Sequence, residues 1–281
     1  ACILAYLIAL SNGGLAPFEI LGSTLSLGVV LGGLAINVAH ELGHRNNRFE
    51  QFLSKLLLLP NAYMHFFIEH NRGHHKNVST QEDPASARYN ESLYAFWIRS
   101  LIFSYISAWR IENKRLRRSG KQIVSFENEM LRFQIITLIF WGIIFVIFGW
   151  KITLLFTGAA TVGFLMLETV NYIEHYGLQR NKVSEHRYEK VQPVHSWNSN
   201  HIVGRIMLFE LSRHSDHHYQ PAKKYQTLDH HEDSPQMPTG YPGMMLLALI
   251  PPLWFMVMNP KINHSFKAKN NTEDLSIPEI S

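Results

Sequence analysis

Sixteen histidines against a single cysteine define the chemistry open to this 281-residue chain. One cysteine excludes a disulfide framework and any cysteine-rich zinc or iron–sulfur site. A metal centre would therefore be built from nitrogen and oxygen ligands. The histidines are bunched. His40 and His44 stand four apart in H-E-L-G-H, and His70 and His74 repeat the spacing in H-N-R-G-H-H, with His75 adjacent. Residues four apart on a helix share a face, one turn from each other. His214, His217 and His218 fall in H-S-D-H-H, again on one helical face, and His175 stands in N-Y-I-E-H-Y-G-L. Neutral imidazole suits zinc, copper, iron and nickel. These rings are too many for one ion and about right for two. Glu41, Glu69, Glu174 and Asp216 flank the bunches. A ligating histidine usually gives its second N–H to a carboxylate or carbonyl, so these acids are candidates for that supporting role. Direct ligation and plain solvation are the alternatives. His65, His186, His195, His201, His230, His231 and His264 stand outside the bunches and are read as hydrogen-bonded or exposed histidines.

The elements that must carry these rings are apolar. Hydrophobic residues make up 46% of the chain and charged ones 17%, below the roughly 25% charged of ordinary soluble domains. A span needs about 20 apolar residues. Runs at about 1–10, 21–39, 133–148 and 152–170 read as spanning helices. Gly28, Gly32 and Gly33 predict close helix packing in the second. The link Gly149-Trp150-Lys151 makes the last two a hairpin, with Trp141 and Trp150 as candidate interfacial anchors. The segment at about 241–258 is apolar but interrupted by Pro242, Pro251 and Pro252, which suits a re-entrant or surface element. Lysine and arginine crowd the stretch from Arg45 to Lys121, whereas the hairpin tip has only Lys151. The positive-inside rule puts the long stretch, and the region after Tyr172, on the cytoplasmic face. His44 and His175 thus emerge at one membrane face. The net charge of +4 fits basic loops or an acidic partner. Nucleic acid is not expected, because no basic stripe interleaved with aromatics is present. The run Arg115-Leu116-Arg117-Arg118 reads as a solvated or headgroup-facing stripe, with partner docking as the alternative. The chain opens at Ala1 inside an apolar run without the basic flank of a signal peptide, which predicts a missing N-terminal part. Cys2 is expected to be inert.

These motifs resemble the bacterial alkane 1-monooxygenase family, within the wider group of integral-membrane desaturases and hydroxylases. The pieces are H-E-L-G-H at His40, F-F-I-E-H-N-R-G-H-H ending at His75, N-Y-I-E-H-Y-G-L from Asn171, and R-H-S-D-H-H ending at His218. H-S-W-N-S-N-H from His195 and P-T-G-Y-P-G from Pro238 belong to the same pattern. The likeness runs from about residue 36 to residue 260. It implies a single all-α, integral-membrane helical bundle of about six spans with a cytoplasmic histidine-rich catalytic part, and N-terminal helices upstream of this chain. It implies a multi-pass protein of the bacterial inner membrane, embedded in lipid. Two iron ions would be held by His40, His44, His70, His74, His75, His175, His214, His217 and His218. Electrons would come from rubredoxin, fed by rubredoxin reductase and NADH. O2 would then hydroxylate the terminal carbon of a medium-chain n-alkane to a primary alcohol. The chain departs from the family at Glu210 and Ser212, where histidine and glutamine are more familiar. A xylene-type monooxygenase, a fatty acid desaturase and a non-catalytic metal-binding membrane protein are the alternatives. Desaturase boxes usually lack the extra residue between His70 and His74, and a transporter would carry ionisable groups within its spans, where Glu168 is the main exception. Leu27, Leu31 and Leu34 are candidates for a substrate path from the bilayer, with ordinary helix packing or lipid contact as the alternative.

Overall fold

Helix formation follows the apolar runs. A computed structural model describes residues 1–185 and 187–274, with side chains through residue 262. His186 and the side chain of His264 lie outside the described residues. Helix α1 is Cys2–Asn12, and α2 runs Pro17–Gly43. Pro17 opens α2 with a preset φ and no orphaned N–H, and the Glu19 carboxylate accepts the free Ala16 N–H at 2.7 Å. Within α2, Leu31–Ile36 is a π-helical stretch. Helix α3 (Arg48–Leu58) is capped by Asn47, whose side chain accepts from the Phe49 N–H at 2.8 Å. Helix α4 has three parts, Phe66–Glu69, a π-turn at His70–His74, and His75–Asn77. Helix α5 is Leu93–Arg118, capped by Ser92.

Helix α6, Glu129–His175, is two limbs broken at Gly149, whose φ of 75° only glycine adopts without strain. Trp141 and Phe156, fifteen positions apart, bring their rings to 4.9 Å. The limbs therefore fold back on each other as a hairpin. Trp150 sits 62% exposed at the tip with the Lys151 ammonium over its ring. Trp141 is partly buried against Phe156 within the hairpin. The second limb continues past the apolar run, and Asn171, Tyr172, Ile173, Glu174 and His175 are all buried. Small residues decide how α2 meets it. A Cβ on Gly28 would stand 2.6 Å from Val162 Cβ, one on Gly32 would stand 2.7 Å from the Gly163 carbonyl, and one on Gly163 would stand 3.1 Å from Leu31 Cβ. Backbones this close permit dispersion contact along the whole crossing.

Beyond α6 lie a two-stranded hairpin, β1 (Lys182–Ser184) and β2 (Arg187–Tyr188), and four helices: α7 (Ile202–Met207), α8 (His214–Tyr219), α9 (Tyr241–Ala248) and α10 (Pro251–Asp274). The proline-interrupted segment is thus two helices, broken at Leu249 and Ile250. Its inner side is core. Trp254 is fully buried with its ring 5.1 Å from Tyr172 and 5.2 Å from Tyr176. Among the described residues, helices α2 and α6 are the two elements long and apolar enough to cross a membrane. Leu138, Val146, Ile147 and Leu154 face outward from α6. Such a continuous apolar exterior matches lipid rather than water.

Candidate metal centre

Four elements deliver nine imidazoles to one place. His40, near the end of α2, and His44, just past it, meet His70 and His75 of α4 and His217 of α8. His74 of α4, His175 at the end of α6, and His214 and His218 of α8 form a second group. Within each group the ligand atoms lie within 4.8 Å of one another. The Nε2 atoms do the converging. His44 and His70 bring theirs to 3.1 Å, His70 and His75 to 3.0 Å, and His75 and His217 to 3.1 Å. In the second group His74 and His218 approach at 3.2 Å, and His175 and His214 at 3.1 Å.

The π-turn sorts the middle box. On an ordinary helix His70 and His74 share a face, while His70 and His75 diverge by about 140°. A π-turn closes over five residues and so brings His75 round toward the face of His70; the Nε2 of His70 meets that of His75 at 3.0 Å, while the Nε2 of His74 meets that of His218. The i, i+4 pairing expected for His70 and His74 is therefore replaced by an i, i+5 pairing, and the two members of the expected pair go to different groups. In H-S-D-H-H the expected single face also divides, with His217 joining the first group and His214 and His218 the second.

Burial prepares these rings as ligands. It pulls the His44 imidazole down to about 4, with His74 adding to the effect. Burial likewise holds His70, His75, His214, His217 and His218 well below the ordinary histidine value. Such imidazoles are neutral at physiological pH and keep a lone pair free. Each neutral ring carries one N–H and one acceptor nitrogen, and in each group the possible ligand atoms crowd within 4.8 Å of one another. Cations at the two points of convergence would satisfy them. The donor set thus fits two ions of a metal that accepts imidazole.

The flanking acids behave differently from one another. Of these four, Glu174 is the one that reaches a group: its Oε2 lies 3.2 Å from His214 Nε2, and its Oε1 accepts from the Tyr241 hydroxyl at 2.8 Å. Glu69 is buried beside Gly73 and accepts from Ser107 at 3.4 Å. Glu41 pairs with Arg45 and accepts from the Tyr225 N–H. Asp216 faces away, accepting from Lys223 at 2.7 Å, the Asp229 N–H at 2.8 Å and His231 at 2.7 Å. It clasps a loop, and among the described residues the expected contact with a clustered histidine is not made. Burial alone would raise its pKa, but these three donors bring it below the usual carboxylate value.

Asp83 was not singled out by the sequence. The His74 Nδ1–H donates to its Oδ2 at 2.8 Å, which leaves His74 Nε2 as the free acceptor. Burial opposes the charge on Asp83, yet the His74 ring and the Ser86 hydroxyl bring its pKa below the ordinary range. The acid–proline turn Q-E-D-P, a few residues past the second box, was the available signal. Tyr241 was another omission, although it sits in P-T-G-Y-P-G. The H-S-W-N-S-N-H motif holds the end of α6. Trp197 N–H donates to the Glu174 carbonyl at 2.8 Å, and its indole N–H donates to the Tyr176 carbonyl at 2.9 Å.

Histidines outside the groups have other partners. His195 approaches Glu189, His230 meets the Asn198 amide at 2.9 Å, and His201 is exposed. His65 is buried between Tyr63 and Tyr105, and its Nε2 has no hydrogen-bond partner among the described residues. Glu168, the acid within a span, accepts from Tyr63 at 2.6 Å and from Ser100 at 2.5 Å.

An apolar cavity of about 50 Å³ abuts both groups. His40, His70 and His214 stand at it, and Gly33, Phe66, Met166, Val170, Leu208, Leu211 and Met245 supply much of the apolar wall. Leu27, Leu31 and Leu34 do not line it. Leu27 and Leu31 are buried in a separate apolar cluster with Phe156 and Ala159 of α6, and Leu34 is 49% exposed. Gly33 leaves the space, since a Cβ there would meet only Met166 Cε at 4.0 Å.

Comparison with known proteins agrees with this geometry. The fatty acid desaturase family model matches residues 17–248. Alkane 1-monooxygenase of Ectopseudomonas oleovorans is 47% identical over 244 residues, 87% of this chain and 61% of that protein. Alkane 1-monooxygenase 2 of Alcanivorax borkumensis is 43% identical over 258 residues, 92% of this chain and 68% of its own length. The hydroxylase component of xylene/toluene monooxygenase from Pseudomonas putida is 28% identical over 250 residues, 88% of this chain and 65% of that one. The chain spans 61% of the first of these relatives.

Proposed function

The chain belongs to the fatty acid desaturase family, and on that premise we propose that it carries the catalytic centre of a membrane-bound alkane 1-monooxygenase. The observation that carries this reading is the pairing of two all-imidazole groups with an apolar cavity that ends against them. His40, His44, His70, His75 and His217 would hold one iron, and His74, His175, His214 and His218 the other. Glu174 is close enough to the second group to share in it. The two irons, when bound, supply the activation of O2 that an unreactive C–H bond requires.

The chain's own residues would do the rest. The cavity wall from Gly33 to Met245 excludes water and holds an n-alkyl chain with its terminal methyl toward His40, His70 and His214. Positioning of this kind converts a bimolecular encounter into an oriented one. Asp83 holds His74 in one tautomer and orientation. Tyr241 fixes the Glu174 carboxylate through its hydroxyl. Overall, alkane, O2, two electrons and two protons give a primary alcohol and water. Electrons would come from rubredoxin, itself fed by a reductase and NADH. The lysine- and arginine-rich stretch from Arg45 to Lys121, against Lys151 alone at the hairpin tip, supports a multi-pass protein of the bacterial inner membrane with this centre toward the cytoplasm.

The test is turnover by the full-length protein with rubredoxin, reductase, NADH and octane, alongside anaerobic metal analysis. The expected result is 1-octanol and two irons per chain. Iron loading with product from xylene and none from alkane would replace the substrate class and keep the centre. Zinc in place of iron, with no product, would overturn the oxygenase reading.

A further inference from the structure

Outside the metal centre, a groove of about 540 Å³ runs along the seam between α4 and α5. Its walls are basic. Arg72 and Lys76 project from α4, and Arg110, Lys114, Arg115 and Arg118 from α5. Arg110, Lys114 and Arg118 are spaced i, i+4, i+8, so they form one stripe. The buried carboxylate of Glu112 takes up part of this charge, meeting Arg115 at 2.7 Å and Arg72 at 3.6 Å. Among the described residues, no carboxylate lies within ion-pair distance of Lys76, Arg110, Lys114 or Arg118. Like charges at i, i+4 weaken a helix. Among the described residues, no carboxylate compensates these four.

The groove has a defined relation to the clustered histidines. Arg72 and Lys76 belong to the same turns of α4 that carry His70, His74 and His75. Helix α5 lies hard against those turns, since a Cβ on Gly73 would stand 3.0 Å from Ile111 Cδ1. A molecule seated in the groove is separated from the imidazoles by about the thickness of one helix, roughly 10 Å. This chain has one cysteine and so no thiolate-ligated electron centre of its own, while the oxygenase reaction consumes two electrons.

We propose that the α4–α5 groove is the docking surface for an acidic electron-carrier protein. The proposal rests on the oxygenase reading for the need of electrons, and on the uncompensated charge and its placement behind the ligand-bearing turns for the site. An anionic lipid headgroup would satisfy the same charge, but nothing in that role calls for a site behind the histidines. Docking by complementary charge chiefly sets encounter rate and salt dependence.

Binding of an acidic rubredoxin to the full-length protein tests this directly, without reliance on turnover. The variants are Lys114→Glu with Arg118→Glu, and a milder pair, Lys114→Ser with Arg110→Ser. Lys151→Glu at the hairpin tip is the control. All carry surface changes, and metal content with thermal melting checks that they fold. The charge reversal should weaken rubredoxin binding by about tenfold or more at low salt, the serine pair by less, and the gap should close as salt screens the charges. In coupled turnover the KM for rubredoxin should rise while kcat and the KM for alkane stay unchanged. Binding equal to wild type at low salt would overturn the proposal, as would a wild type that does not bind rubredoxin. Loss of affinity for phosphatidylglycerol vesicles with rubredoxin binding intact would overturn it in favour of a lipid surface. A wild type that binds rubredoxin through this groove but forms no alcohol would instead count against the oxygenase reading.

Discussion

Each imidazole has two nitrogens, and the second is not held alike: the Nδ1 atoms of His40, His75, His214 and His218 have no hydrogen-bond partner among the described residues. His74 Nδ1 is held by Asp83, a buried carboxylate that also accepts from Ser86. Such partners fix ring orientation and raise ligand basicity. Asp83→Asn should therefore lower iron affinity by about 10–100-fold, measured as iron retained against a competing chelator. Retention equal to wild type would deny Asp83 that role. Asp216→Asn should act elsewhere, because its partners are Lys223, Asp229 and His231. It should cost about 1–3 kcal/mol of stability by leaving buried donors poorly paired, seen as a lower melting temperature with iron content unchanged. Loss of iron without loss of stability would contradict this assignment. His217→Ala should weaken iron binding in the first group and abolish turnover while membrane insertion stays intact. His230, whose contact is with the Asn198 amide, should tolerate alanine without loss of iron.

At the scale of elements, the π-turn at His70–His74 is the feature that divides one box between two groups. It is legible only in part from spacing. H-E-L-G-H reads correctly with a period of 3.6, and both its rings join the first group. H-N-R-G-H-H does not, because five residues in one turn change which rings align. The neighbours that crowd this turn, Ile111 of α5 and Glu69 of α4 against Gly73, are set by packing. Deleting Asn71 should restore ordinary helical spacing and rotate His74 and His75 against His70 by about 100°. The expected readout is fewer than two irons per chain at unchanged helical content by circular dichroism. Full iron occupancy in that variant would show that the π-turn is not what sorts the rings. The crossing of α2 and α6 was more accessible from sequence, since glycines in an apolar run mark close approach. Two of the three glycines serve it. Gly33 opens the cavity instead.

For the whole molecule, the cavity lined from α2, α6 and the segment around α7 and α9 abuts the centre, and the proposed function makes it the substrate's seat. Gly33→Leu would project a side chain into that space, where only Met166 Cε stands within 4 Å of a new Cβ. The expected outcome is a shift of the product distribution toward shorter alkanes with iron content unchanged. An unaltered chain-length profile would place the substrate elsewhere. Metal removal belongs to this scale too, because the two groups tie together α2, α4, α6 and α8. A ligand that binds only the folded state stabilises it by about 2.7 kcal/mol at a concentration one hundred times its Kd. Chelation should accordingly lower the melting temperature, and iron should restore it.

Residue types and short spacings determined the inventory. With one cysteine and bunched histidines beside apolar runs, a nitrogen-ligated centre at the end of membrane helices could be read from the chain alone. The nine rings were identifiable because each lies in a short motif whose helical period is local. Their division into two groups was not, since it depends on a π-turn and on the meeting of α8 with α4 across more than 130 residues. Asp83 and Tyr241 escaped notice for the same reason, as one carboxylate and one hydroxyl gain their roles only through contacts distant in sequence. Local periodicity follows from backbone geometry and is written in neighbouring residues, whereas convergence depends on which surfaces pack, and that is settled by the chain as a whole.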